Sequence, residues 1–141
     1  MWNYTANMPS TNIHAPAPKS KGGLARIFRA SKHSWQGLVA AAKYEQAFRQ
    51  ELMVVIPLSI GAWFIPVPPL QRALLFSVLQ IILIAELLNS AIEANTDHIS
   101  LEIHPLAKRA KDMGSAAVML SIILSAAVWG AVLWQWYAPA Q

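Results

Sequence analysis

The chain has 141 residues, of which 55% are hydrophobic and only 13% charged, with eleven Lys and Arg against seven Asp and Glu and a net charge of +4. About a quarter of the residues of an average soluble domain are charged, so this composition indicates a membrane protein and argues against a two-domain soluble enzyme. The absence of cysteine excludes disulfides, thiolate zinc sites and cysteine nucleophiles, and basic residues that flank apolar segments point to lipid headgroups and not to nucleic acid.

Residues 1–23 mix Pro, Ser, Asn, Thr and Gly without apolar periodicity or the continuous apolar stretch of a secretory signal, and are expected to form a flexible tail. The remainder, 24–141, reads as one membrane domain. It starts with an amphipathic helix. Leu24, Ile27, Phe28, Ser31, Trp35, Leu38, Val39 and Ala42 share one helical face, while Arg26, Arg29, Lys32, His33, Gln36 and Lys43 occupy the other. Such a helix lies on a membrane surface with its basic groups among anionic headgroups.

Three apolar spans follow, at about 52–70, 73–95 and 113–137, giving an all-α membrane protein with a surface helix and three transmembrane helices. Three prolines within 65–71 predict a tight turn outside the membrane. The charged stretch 98–112 reads as the second loop. Trp129, Trp134, Trp136 and Tyr137 form an aromatic belt at the far end of the third span. Seven basic residues precede the first span, Arg72 is alone in the first loop, and Lys108, Arg109 and Lys111 lie in the second. The positive-inside rule then puts the N-terminus and second loop in the cytoplasm and the C-terminus outside.

The second span carries the chain's most informative pattern. Glu86, Asn89, Glu93 and Asp97 recur at offsets of 0, 3, 7 and 11, which a helix gathers within roughly 80° of arc. Carboxylates at membrane depth are costly unless they meet partners, a metal ion or water, so function is expected on this stripe. Glu86 is nine residues from the end of the span, roughly 13 Å deep at 1.5 Å per residue. From the residues alone, Glu86 is either a general base or an interhelical hydrogen-bond anchor. Asn89 either orients Glu86, binds a phosphate or holds helices together; Asp97 can simply cap or solvate the helix end. His98 and His104 lack the spacing and companions of a zinc site.

The segments ELLNSAIEAN at 86–95 and AKRAKDMGSAAV at 107–118, with EQAFRQE at 45–51 and Ser34-Trp35-Gln36-Gly37-Leu38, closely resemble the small prokaryotic integral-membrane diacylglycerol kinases. The resemblance covers about 24–136. It implies a homotrimer at the bacterial inner membrane, sites shared between subunits, and phosphorylation of 1,2-diacylglycerol by MgATP. It further implies Glu86 as the base and Asn89 beside it in the catalytic centre, with Glu45 and Glu93 as Mg²⁺ ligands. Arg26, His33, Glu45, Glu93, Glu102, His104, Lys111 and Asp112 match nucleotide contacts. Arg26, Ser31, Trp35, Phe48, Arg49, Gln50, Glu51, Glu86 and Ser115 match the lipid-substrate side. The chain departs from the family pattern at His33, Val39 and His98, where an aromatic hydroxyl, a basic residue and Arg are common.

Phosphoryl transfer needs a base, a divalent cation on the phosphates and cationic groups against developing charge, and each has a candidate here. A phosphate-binding glycine loop and the signature loops of protein kinases are absent from the sequence. Three competing readings remain: an undecaprenol kinase of the same fold, an intramembrane proton or ion relay, and a lipid-binding subunit without turnover. A relay leaves Lys111, Asp112 and Glu45 without a purpose, and a structural subunit leaves Glu86 without one.

Overall fold

Among the described residues, the helices begin and end at points with local causes. The structure is a computed structural model that describes residues 23–99 and 104–138. Among these residues the chain forms four α-helices and no strand: α1 Gly23–Tyr44, α2 Gln46–Phe64, α3 Pro69–Ile99 and α4 Pro105–Tyr137. Of the tail expected over 1–23, residues 1–22 lie outside the described residues, as does Glu102, while Gly23 opens α1.

The first break is Glu45, which is extended at φ −93° and ψ 116°. Its amide still reaches the Ala41 carbonyl at 2.9 Å, and the Arg49 guanidinium donates to the Lys43 carbonyl at 3.0 Å. That contact serves one of the carbonyls in the last turn of α1, which lack partners within their own helix. At the second break Pro66 and Pro68 have no amide hydrogen to continue a helix, and Pro69 opens α3, where the missing donor is harmless. Pro57 lies inside α2 without ending it. Arg72 donates to the Ile65 carbonyl at 3.1 Å and sits 5.7 Å from the Trp63 ring centre, so the first turn of α3 holds the end of α2.

The third break ends at His104, the N-cap of α4, whose Nδ1 accepts from the Leu106 amide at 3.2 Å, with Pro105 directly after it. The stretch 105–112, expected to be loop, is therefore the first two turns of α4. Its helical face was hidden because small and partly polar residues form it. Ala107, Ala110 and Lys111 are half-buried and Gly114 is buried, whereas Lys108, Arg109 and Asp112 face outward.

The chain divides into two units, Met1–Trp35 and Gln36–Gln141. In the first, residues 23–35 of α1 are exposed. In the second, α3 packs against both α2 and α4. The buried residues of α4, Gly114, Ser121, Ser125 and Val132, are spaced by seven, four and seven, which places them on one face. Three of them are small, which lets two helix backbones approach closely. α3 and α4 run antiparallel, joined at one end by Gln71 Nε2 donating to Gln135 Oε1 at 2.7 Å and at the other by Lys111 Nζ donating to Asp97 Oδ1 at 2.6 Å.

Two apolar clusters fill the space between α2, α3 and α4, one around Ala62, Val67, Leu75 and Val132 and one around Val55, Leu79 and Ile82, with Trp129 packed against both. α3 and α4 are long and apolar enough to cross a membrane, over Pro69–His98 and Pro105–Tyr137. Their 31 and 33 residues give roughly 46 and 50 Å of helix against a hydrocarbon core of about 30 Å. Polar turns therefore extend beyond the apolar part of each. α2 overlaps the expected span 52–70 only in part, since it begins with the polar segment containing Arg49 and Glu51 and ends at Phe64.

Candidate active site

The unbroken run of α3 turns the sequence pattern into a physical stripe. Burial declines along it: Glu86 is 4% and Asn89 8% exposed, Glu93 is half-buried and Asp97 exposed. A buried carboxyl needs a hydrogen-bond partner, and Ser90, one turn further on, provides one to Glu86. Glu86 also lies in the electrostatic reach of Glu93 and Glu45, and Glu51 in that of Glu86. The break before α2, the first turns of α2 and the middle of α3 thus bring four carboxylates into one neighbourhood. One oxygen of Glu51, Oε2, is buried without a hydrogen-bond partner among the described residues.

Asn89 is committed to Glu93. Its Nδ2 donates to Glu93 Oε1 at 3.2 Å, one turn along the same helix, so the amide orients Glu93. Glu45 caps α2 by backbone conformation alone, since its side chain makes no capping hydrogen bond. Among the described residues no three His, Cys, Asp or Glu side chains are grouped so as to hold a metal ion by themselves. The oxygen-only donors Glu45 and Glu93 instead suit Mg²⁺, which is commonly held by one or two carboxylates together with phosphate oxygens and water.

Basic groups cluster where α3 ends and α4 begins. Lys111 pairs with Asp97, and Lys108 with Asp112 at 2.6 Å, one turn apart. His104 uses Nδ1 to cap α4. Ser115 is exposed, beside the buried Gly114. At the start of α2, Phe48 is buried, Arg49 reaches Lys43, and Gln50 is exposed next to Glu51. Arg26, Ser31, His33 and Trp35 belong to the first unit and are exposed along α1.

Carboxylates gathered at the edge of an apolar helix pair, with lysines close by, match what a membrane phosphotransferase requires. A family model described as prokaryotic diacylglycerol kinase matches residues 32–133. The chain belongs to the prokaryotic diacylglycerol kinase family. It is 46% identical over 112 residues to the diacylglycerol kinase of Escherichia coli (strain K12), an overlap covering 79% of this chain and 92% of that protein. Identity is 44% over 120 residues to the diacylglycerol kinase of Pseudomonas aeruginosa PAO1, with 84% and 98% covered. It is 38% over 116 residues to that of Helicobacter pylori J99, with 82% and 90% covered.

The segment shared with the prokaryotic diacylglycerol kinases contains Glu45, Glu51, Glu86, Asn89, Glu93, Asp97, Lys111 and Asp112. Two of its contacts were not foreseen from the sequence. Ser90 lies four residues after Glu86, a spacing that a helix brings together and that the sequence did contain. The Asp97–Lys111 pair bridges residues fourteen apart in different helices, and no local spacing signals it.

Proposed function

We propose that this chain is an ATP-dependent kinase that transfers the γ-phosphate of MgATP to 1,2-diacylglycerol, giving phosphatidate and ADP. The buried Glu86 carboxylate, hydrogen-bonded by Ser90 and surrounded by Glu45, Glu51 and Glu93, carries this reading. Glu86 takes the proton of the lipid hydroxyl as its oxygen attacks the γ-phosphorus, and the bond from that phosphorus to the bridging oxygen of ADP breaks. Glu45 and Glu93 would hold the Mg²⁺, with Asn89 fixing Glu93, and the cation would supply charge neutralisation at the phosphate oxygens.

Lys111 offsets further phosphate charge and Asp112 contacts ribose or base, joined by His104 on the nucleotide side. Phe48, Arg49, Gln50, Glu51 and Ser115 face the lipid. α1 lies on the cytoplasmic surface of the inner membrane as an amphipathic helix, and α2 completes three spans. Large apolar side chains such as Met53, Ile60, Ile84, Leu88, Leu120 and Ile123 are exposed on the single chain, which suits contact with lipid and with neighbouring subunits of a homotrimer. Those subunits complete one another's sites.

Each relative cited above carries the name diacylglycerol kinase, so undecaprenol as acceptor is not favoured. ATP consumption by the purified protein in mixed micelles, with diacylglycerol and undecaprenol compared side by side, tests the assignment. Turnover with undecaprenol alone overturns the acceptor, and turnover with neither overturns the kinase reading.

A further inference from the structure

Gly114 is unlike the other described glycines. A Cβ added to Gly23, Gly37, Gly61 or Gly130 meets nothing within 4 Å, whereas one on Gly114 would lie 2.4 Å from Asn89 Oδ1, 3.3 Å from Asn89 Cγ and 3.5 Å from Asn89 Cα. The first distance is impossible for real atoms without a shift. Gly114 is also buried and lies within α4, where glycine is less favourable than alanine for the helix itself. The local preference of the chain therefore opposes glycine here, and the close passage of α4 over Asn89 is what uses it.

Asn89 needs that space because of how its amide is deployed. Nδ2 points along α3 to Glu93 Oε1 at 3.2 Å, while Oδ1 is buried against α4 with no hydrogen-bond partner among the described residues. Gly114 presents only a C–H toward this oxygen, a surface that permits a weak C–H···O contact and leaves the amide plane undisturbed. Any side chain at 114 would turn the amide away from Glu93 or push α4 off α3.

We infer that Gly114 is a positioning residue for phosphoryl transfer: by leaving room for Asn89, it keeps the amide on Glu93 and so fixes the carboxylate that receives the metal-bound nucleotide. This inference rests on the reading of Glu93 as a Mg²⁺ ligand and of Asn89 as its support. Outer partners of metal ligands typically affect metal affinity by about 10- to 100-fold. Glycine at 114 thus acts on catalysis without touching substrate, cation or reacting atoms.

A double-mutant cycle on the full-length protein in mixed micelles tests it, reading turnover, the Mg²⁺ concentration giving half-maximal activity at fixed ATP, and thermal stability. Asn89→Ala and Gly114→Ala are each expected to raise the Mg²⁺ requirement about 10- to 100-fold. The double variant is expected to match Asn89→Ala alone, because the added methyl then has no amide to displace. Multiplicative effects in the double variant overturn the inference, as does Gly114→Ala losing activity only in proportion to unfolded protein while its Mg²⁺ requirement stays at the wild-type value. Should Gly114→Ala alone fail to fold, the double variant must still fold and behave like Asn89→Ala, and its failure to do so overturns the inference as well. A wild-type Mg²⁺ requirement and turnover in Asn89→Ala overturns the underlying reading of the site, a result distinguishable from the others because it appears in that single variant.

Discussion

Lys111 Nζ lies 2.6 Å from Asp97 Oδ1, joining the last turns of α3 to the second turn of α4. The lysine proposed to meet the nucleotide phosphates is thus already paired with an acid from the polar stripe of α3, and an incoming phosphate would compete for it. The pair is partly exposed, with side-chain exposures of 36% and 61%, where such a bridge is worth about 0.2–1 kcal/mol.

Asp97→Asn is therefore expected to lower the ATP KM by about 1.4- to five-fold, the equivalent of that bridge energy. Lys111→Ala is expected to raise it by about tenfold or more, since hydrogen bonds to charged groups contribute about 1.5–3 kcal/mol. Initial-rate measurements over a range of ATP concentrations check both. A raised KM in Asp97→Asn would show that Asp97 holds Lys111 in its working position and does not compete with phosphate.

Glu45, at the break before α2, and Glu93, within α3, are expected to govern metal demand. Glu45→Gln and Glu93→Gln each remove a charged oxygen donor while keeping size, so the Mg²⁺ needed for half-maximal activity should rise by at least about tenfold, the lower range for loss of an outer partner. Thermal stability and oligomeric state should remain at the wild-type values. Titration of activity with Mg²⁺ at fixed ATP checks this, and unchanged titration curves would remove both residues from the metal site.

The stripe Glu86, Asn89, Glu93 and Asp97 was legible in the sequence because a single helix, α3, creates it. Contacts between helices were not. The register of α4 on α3 determines that Gly114 faces Asn89 and that Lys111 faces Asp97, and no spacing within either segment encodes that register. The helical start of α4 was hidden for a related reason: its inner face at Ala107, Ala110 and Gly114 is small and not strongly apolar, so hydrophobic periodicity registers little there. The family resemblance assigns Glu51 only to the lipid side, while the fold places its carboxyl within the electrostatic reach of Glu86.

Membrane orientation provides a test independent of chemistry. Ten of the eleven Lys and Arg residues lie in the N-terminal region and in the region between the second and third spans, with Arg72 the exception. Reporter fusions at residue 20 and within 100–103 are expected to report a cytoplasmic location, and fusions within 65–68 and at the C-terminus an outside one. A cytoplasmic C-terminus would contradict an odd number of spans and return α2 to a position on or outside the membrane.

Glu86 separates catalysis from architecture most sharply, because it is the most buried acid among the described residues, at 4% exposure. A general base contributes about 10²- to 10⁴-fold in rate, so Glu86→Gln should lower turnover by that order with the ATP KM near wild type. Gln keeps the size of Glu and can still hydrogen-bond Ser90, and it removes an ionisable group that is costly at membrane depth and faces other carboxylates. Thermal stability should therefore hold or rise while turnover collapses. If Glu86 were only an anchor between helices, activity would fall no further than the protein unfolds or its subunits separate. Turnover and thermal unfolding measured on the same preparation distinguish the two, and a stable Glu86→Gln protein with near-normal turnover would remove Glu86 from the chemistry.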